Sequence, residues 1–138
     1  MSRISAVASL FLLCSCFPFS AHDETLVGRY KLVATDTTEE MSLCWALDSG
    51  DCLGDGLPGP TVFAAGFDNK YIVTAIHPMK SGKATTQFFY IVRDPANENL
   101  DGGLPYKGIK GPFDEYQYKR EKAQLLLPEF TRVFDDLK

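Results

Sequence analysis

Alternating apolar and polar residues predict β-strands in the first half of the chain. Residues 28–34 alternate well enough to place Tyr30 and Leu32 on one face of a first strand. A second candidate strand covers residues 42–46 and runs into a polar loop. Glycines and prolines concentrated in residues 56–60 predict irregular backbone before the next strand.

The strongest local pattern is a pair of β-rich runs at residues 61–67 and 71–76. They flank Asp68-Asn69-Lys70, and because Asp and Asn tolerate the left-handed backbone of tight turns, the two runs predict a β-hairpin. Residues 87–92 predict a third strand of the same sheet. Residues 96–110 contain glycines and a proline, and are predicted to be a long surface loop or a disordered connection.

The C-terminal region has helical patterns instead. Asp114 and Gln117 form the signature of a capping box, which predicts a helix from there to about Leu126, ended by Pro128. Residues 129–138 predict a second short amphipathic helix. Its apolar residues follow an i, i+3, i+4, i+7 spacing, at Phe130, Val133, Phe134 and Leu137.

Strands come first along the chain and helices last, which predicts an α+β fold. We expect a small antiparallel sheet, a meander with its hairpin near residues 61–76, packed against the C-terminal helices. The length of 138 residues fits one domain, expected at residues 28–138.

The N-terminal residues indicate export. Arg3 precedes an apolar run of about 11 residues, which is too short for the roughly 20 that span a bilayer. Leu13-Cys14-Ser15-Cys16 then resembles a lipobox, so residues 1–15 are interpreted as a lipoprotein-type signal peptide, Cys16 as the lipidated residue and residues 16–27 as a tether. Cleavage without lipidation, giving a secreted form, and an uncleaved N-terminal helix are the alternatives.

Charge argues against one class of partner. Without Arg3 the chain carries 13 basic and 18 acidic side chains. A negative chain with no cluster of Lys and Arg lacks an electrostatic route to phosphate backbones. We therefore expect no nucleic-acid partner.

Cys44 and Cys52 are the two cysteines of the expected domain. Exported proteins meet an oxidising compartment, and the turn-forming residues 48–51 let the chain reverse between the two thiols, so a disulfide is predicted. A redox-active pair would favour Cys-x-x-Cys spacing, and two thiolates without a nearby histidine do not complete a zinc site. No metal or cofactor is expected.

Aromatic residues are frequent in the second half of the chain. Strand alternation places Phe88 and Tyr90 on the face opposite Phe89. If the helices leave that face uncovered, it becomes an aromatic binding surface, for which Tyr71 and Tyr106 are further candidates.

Histidines are the remaining candidates for chemistry. His22 lies in the predicted tether, and His77 lies at an expected exposed strand end before Pro78. No Gly-x-Ser-x-Gly motif accompanies His77, so no enzymatic activity is expected. The alternative is a small hydrolase that uses His77 with an acid from residues 48–55.

Three segments together resemble a family of small bacterial lipoproteins of unknown function, over about residues 59–127. They are Phe67-Asp68-Asn69-Lys70-Tyr71-Ile72, Phe89-Tyr90-Ile91-Val92-Arg93-Asp94 and Gly111-Pro112-Phe113-Asp114-Glu115-Tyr116. The resemblance implies a small domain of this architecture and a lipid anchor, and it implies no activity or site.

These patterns favour a protein of the bacterial cell envelope, periplasmic or surface-exposed, anchored to the membrane through Cys16 or secreted if it is not lipidated. The expected role is non-enzymatic binding of an envelope protein, for example to neutralise a toxin or hydrolase. The alternatives are a carrier of a small apolar ligand and the hydrolase that uses His77.

Overall fold

The computed structural model describes residues 20–98 and 106–138, which form two antiparallel sheets and one α-helix. The first sheet has the order β1-β2-β3-β4 and the second has the order β8-β7-β6-β5-β9. The strands are β1 (His22–Val27), β2 (Tyr30–Ala34), β3 (Ser42–Ala46), β4 (Cys52–Leu53), β5 (Val62–Phe67), β6 (Tyr71–Ile76), β7 (Gln87–Arg93), β8 (Tyr106–Phe113) and β9 (Arg132–Val133). The helix is α1 (Glu115–Leu125).

Strand β1 corrects the predicted tether. Residues 22–27 pair with β2 from His22 opposite Ala34 to Val27 opposite Tyr30. Because β1 lies at a sheet edge and buries only Leu26, its sequence lacks the apolar alternation that identifies a half-buried strand. The first sheet therefore includes residues N-terminal to the expected domain start.

The predicted hairpin is confirmed as β5 and β6, and the predicted third strand as β7. Asp68 supports the turn with its carboxylate, whose Oδ1 accepts from the amides of Lys70 and Tyr71, each at 2.7 Å. Strand β8 pairs with β7, where a loop was predicted. Gly108 and Pro112 are both disfavoured in strands, but proline is tolerated on an edge strand, so composition hid this one.

The main core lies between the two sheets. The first sheet contributes side chains such as Trp45, and the second contributes side chains such as Ile91. Its largest fully buried members are Trp45, Tyr30, Leu32, Met41, Leu43, Ile72, Ile91 and Val62. The second sheet is thus covered on one face by the first.

Helix α1 begins with the predicted capping box. Oδ1 of Asp114 accepts from the Gln117 amide at 2.7 Å, and Oε1 of Gln117 accepts from the Asp114 amide at 3.0 Å. The helix ends at Leu126, which has a left-handed φ of 55°. Tyr118 of α1 and Leu127, just after the end of the helix, pack on the other face of the second sheet. The predicted α+β fold is confirmed in part, because the described residues form two antiparallel sheets instead of one, and one C-terminal α-helix packs on the second sheet.

The second predicted helix is wrong. Within residues 129–138 the chain instead forms β9, which pairs with β5. Gly66 permits this approach, because a Cβ there would lie 1.9 Å from the carbonyl oxygen of Glu129. Helical spacing was misleading here because the free edge of β5 supplies backbone partners for this segment.

Two ion pairs with paired hydrogen bonds involve arginines of the second sheet. Arg132 of β9 donates from Nε and Nη2 to the carboxylate of Glu24 in β1, at 2.6 and 2.7 Å. Arg93 at the end of β7 donates from Nε and Nη2 to Glu98, both at 2.7 Å. The Arg132–Glu24 pair joins the second sheet to the first, and we call it the clasp. Within the described residues, no helix has the length and apolar character needed to cross a bilayer.

Candidate functional site

His77 is fixed by the β5–β6 hairpin. Its amide donates to the carbonyl of Thr61 at 2.9 Å, and the Thr61 amide donates to the His77 carbonyl at 3.0 Å, so the ladder continues one step past Ile76. The side chain is buried, with 8% exposed, which corrects the expected exposed strand end. The hairpin therefore fixes the backbone of His77 and buries its side chain.

The imidazole ring has partners on one side only. Nδ1 lies 2.9 Å from the carbonyl oxygen of Thr85 and 3.4 Å from the hydroxyl of Thr86, and the ring stacks on Phe63 at 4.3 Å between centroids. A carbonyl oxygen can only accept, so in the neutral ring Nδ1 carries the proton and Nε2 carries the lone pair. Among the described residues, buried Nε2 has no hydrogen-bond partner.

A cleft of about 390 Å³ lies on one side of His77, and we call it the aromatic cleft. The cleft lies between the C-terminal segment that crosses β5 and residues of β5, β6 and β7. Most of its wall is apolar. Glu115 and Lys138 are its charged lining residues. The other lining residues are Phe63, Ala64, Ala75, His77, Thr86, Phe88, Phe130 and Val133.

A second cleft of about 350 Å³ also has His77 in its wall, and we call it the polar cleft. Nζ of Lys83 donates to the carbonyl of Asp136 across it at 3.1 Å. The Thr61 hydroxyl donates to the carbonyl of Glu39. The remaining lining residues are Met79, Gly82 and Leu137. His77 therefore lines both clefts.

The acids proposed to assist His77 lie elsewhere. Asp48 accepts from Nη2 of Arg29 at 2.6 Å, and Asp51 accepts from the Ser49 hydroxyl at 3.2 Å. No residue of 48–55 lines either cleft. The structure therefore does not bring His77 and these acids together.

The cysteine pair is present at disulfide distance. Cys44 in β3 and Cys52 in β4 are bonded, with 5.6 Å between their Cα atoms. The bond closes the β3–β4 connection, far in sequence from His77. Among the described residues, no group of three or more His, Cys, Asp or Glu side chains is placed to hold a metal ion.

Helix α1 and its neighbours cover much of the predicted aromatic surface. Phe88 stacks on Tyr118 of α1 at 4.7 Å, and Tyr90 stacks on Phe113 at 5.8 Å. Tyr90 is 7% exposed, and burial first, then the carboxylate of Glu121, raise its pKa. Tyr71 meets Tyr90 edge to face at 5.9 Å.

Of the four predicted surface residues, only Phe88 lines a described cleft. Tyr106 begins β8, and its side chain lies outside the described part of the structure, as do Cys16 and the predicted signal peptide. A binding surface at the aromatic residues stays a prediction.

Sequence reasoning singled out His77 and Phe88 but missed the other residues of the site. Phe130 and Val133 were assigned to a helix, and Thr85 gave no signal because it acts through its backbone carbonyl. Glu24 and Arg132, which hold β9 in place beside the aromatic cleft, are separated by 108 positions in the sequence. No local pattern could have joined them.

Comparisons of the chain with protein families, with curated proteins and with solved structures found no match. The geometry at His77 is therefore the observation on which a functional argument rests.

Proposed function

We propose that this protein is a non-enzymatic carrier of a small apolar ligand in the bacterial cell envelope, and that the ligand binds in the clefts at His77. The observation that carries the proposal is the aromatic cleft of about 390 Å³, whose mostly apolar wall includes His77, Phe88 and Phe130.

The shape of the site favours a small ligand over a protein surface. Small-molecule sites are concave, mostly apolar and about 300–1,000 Å³ in volume, with a few polar groups that orient the ligand. The aromatic cleft fits this description with its volume of about 390 Å³. By contrast, Phe88 and Tyr90, expected to face a protein partner, are used to pack α1 and β8.

The surroundings of His77 support binding over catalysis. In hydrolytic triads a buried carboxylate orients the imidazole and stabilises its charged form. Here the partner of Nδ1 is the neutral carbonyl of Thr85. That partner fixes the ring without stabilising a positive charge as a carboxylate would.

The envelope location is supported by the cysteine pair and by the lipobox-like sequence. A disulfide between Cys44 and Cys52 is typical of exported proteins. Intact mass spectrometry of the chain expressed in a lipoprotein-processing bacterium tests the anchor. A mature species that begins at acylated Cys16 supports it, and an unprocessed chain with free thiols contradicts it.

Titration with the neutral fluorescent probe phenylnaphthylamine tests the carrier proposal. Val133 lines the aromatic cleft and is 40% exposed, so Val133→Trp fills the cleft with little disturbance of the core. Leu126→Trp is the matched control, because Leu126 is 81% exposed and lines neither cleft at His77. We expect saturable binding to the parent chain and to Leu126→Trp, with at least a tenfold loss in Val133→Trp. Equal binding to both variants contradicts the proposal.

A second candidate function is protein binding through the outer face of α1. Tyr116 and Leu126 are the most exposed large apolar residues among those described, at 76% and 81%. With Lys119 and Ala123 they follow an i, i+3, i+7, i+10 stripe, which occupies one helix face. A partner recovered from envelope extracts that is lost with Leu126→Ser but kept with Val133→Trp supports this function. The reverse pattern contradicts it.

A further inference from the structure

We infer that the aromatic cleft selects a flat aromatic ligand, and that Ala64 and Ala75 determine this selectivity. The inference rests on the proposed function and specifies the class of ligand that the carrier takes. Three features of the cleft carry it: a row of residues across the second sheet, the narrowing of the cleft towards that row, and the aromatic side chains at its two ends.

Four residues of the cleft form a row across four strands, which we call the alanine row. Val133 of β9 lies opposite Ala64 of β5, which in turn lies opposite Ala75 of β6. Phe88 of β7 lies opposite Ala75. Directly opposite residues share one face of a sheet, and all four line the aromatic cleft. The row therefore has large side chains at its two ends and only methyl groups between them.

The spacing of the strands gives the length of this row. Neighbouring strands lie about 4.8 Å apart, so three steps separate Val133 from Phe88 by about 14 Å. A ligand of two fused rings fits this length. A larger side chain at either alanine would fill the space between the two ends, so the alanines keep the cleft open.

The cleft narrows towards the alanine row. Ala64 and Ala75 are only 3% and 1% exposed, whereas Val133 is 40% exposed and Phe88 and Phe130 are half-buried. A floor as closed as this admits only the thin edge of a ligand. Aromatic ring systems are flat, but saturated rings of the same size are thicker because their carbons carry hydrogens on both faces. The cleft therefore favours a flat ligand.

Aromatic side chains lie at both ends of the cleft along the strands. His77 and Phe63, stacked at 4.3 Å between centroids, lie where β6 finishes and β5 begins. Phe130 lies near the opposite end, since a Cβ added at Gly66 would be 3.1 Å from its Cα. Contacts between aromatic rings strengthen association by about twofold to tenfold beyond simple burial. An aromatic ligand therefore gains more in this cleft than a saturated one.

Naphthalene and decalin are a matched pair of probes for this inference. They share one two-ring carbon skeleton, but naphthalene is flat and aromatic and decalin is saturated and thicker. Decalin is also the more hydrophobic, so burial of apolar area alone would favour it. Each competes with phenylnaphthylamine for the full chain, purified with its disulfide oxidised. We expect naphthalene to bind about threefold to tenfold more tightly than decalin.

Ala75→Val is the variant that tests the floor of the cleft. Its added methyl groups occupy the space that the edge of a flat ring would enter, so the preference for naphthalene should fall to about onefold. Ala84→Val is the matched control, because Ala84 is exposed and lines neither cleft at His77; it should keep the preference of the parent chain. Thermal melts confirm that both variants fold. If Ala75→Val does not fold, Ala64→Val tests the same floor and the ratio in the parent chain still decides the class of ligand.

Equal affinity of the parent chain for the two probes, or tighter binding of decalin, overturns this inference and leaves the carrier proposal standing. A preference for naphthalene that persists in Ala75→Val also overturns it, because the flat ring would then bind away from the alanine row. If phenylnaphthylamine itself shows no saturable binding, the proposed function fails together with the inference.

Discussion

The ion pair of Arg93 and Glu98 gives the sharpest stability prediction. Both side chains are almost fully buried, at 7% and 5% exposed, and two hydrogen bonds of 2.7 Å join them. Nη1 of Arg93 also donates to the carbonyl of Asp68 at 2.6 Å. Gly28 packs directly against the Glu98 carboxylate, since a Cβ added at Gly28 would lie 2.6 Å from Oε2 of Glu98.

Glu98→Gln preserves the shape of this residue but leaves the charge of Arg93 buried without a counter-charge. Removal of one partner of a buried pair costs about 3–5 kcal/mol, and we expect the lower end because the amide oxygen still accepts one hydrogen bond. For a domain of this size that loss lowers Tm by about 10–15 °C. Chemical and thermal denaturation followed by circular dichroism measure both quantities.

Glu115→Gln is the matched control, because it removes one carboxylate from a pair in which both side chains are 71% exposed. Its pair with Lys119 is an i, i+4 pair on α1, worth no more than about 0.5 kcal/mol. A loss in Glu98→Gln as small as that in Glu115→Gln would refute the reasoning. Arg93→Met combined with Glu98→Leu should recover most of the lost stability, since it removes both buried charges.

Three further predictions concern the frame that holds the site. The Arg132 guanidinium, first by its hydrogen bond, lowers the pKa of Glu24 from 4.5, so this ion pair stabilises the fold above about pH 4.5 and stops doing so as the pH falls through the lower pKa of the folded state. Glu24→Gln should cost about 1 kcal/mol at pH 7, and denaturation curves recorded below pH 4.5 should show a smaller difference between the variant and the parent chain. Gly66→Ala should cost more than about 2 kcal/mol by denaturant titration, because the added Cβ would collide with the Glu129 carbonyl. Gly108→Ala is the control, since a Cβ there would have no atom within 4 Å, and it should change stability by less than about 0.5 kcal/mol. Similar losses in the two variants would contradict the placement of β9. Reduction of Cys44–Cys52 should lower stability by about 2.5 kcal/mol on the chain-entropy estimate, measured by melts with and without reductant, and an unchanged melt would show that the thiols were free.

The sequence identified the elements whose hydrogen bonds are local. The β5–β6 turn depends on Asp68 bonding to amides two and three residues on, and α1 depends on reciprocal bonds between Asp114 and Gln117. Each of these contacts lies within one short segment, so residue type and spacing were enough to predict it.

The elements that the sequence missed are edge strands. β1, β8 and β9 each lie at a sheet edge, and β1 and β9 are joined by residues 108 positions apart. The clasp between Glu24 and Arg132 shows why local patterns fail, since nothing near either residue reports the other. In residues 129–138 the apolar spacing fitted a helix, but the free edge of β5 provided a better partner.

The candidate site was predictable only in part. His77 could be singled out as a titratable residue at a strand end, because few histidines occur in the chain. Its burial, its orientation by the Thr85 carbonyl and the wall formed by Phe130 and Val133 all depend on how distant segments pack. Tertiary contacts, rather than local sequence, therefore determine what the imidazole meets.

Amide chemical-shift mapping with phenylnaphthylamine tests the central claim most directly. The account predicts saturable shifts confined to residues of the aromatic cleft, such as Ala75, Thr86 and Val133. Shifts confined to the outer face of α1, at Lys119 and Ala123, or no saturable shifts at all, would contradict a ligand site at His77.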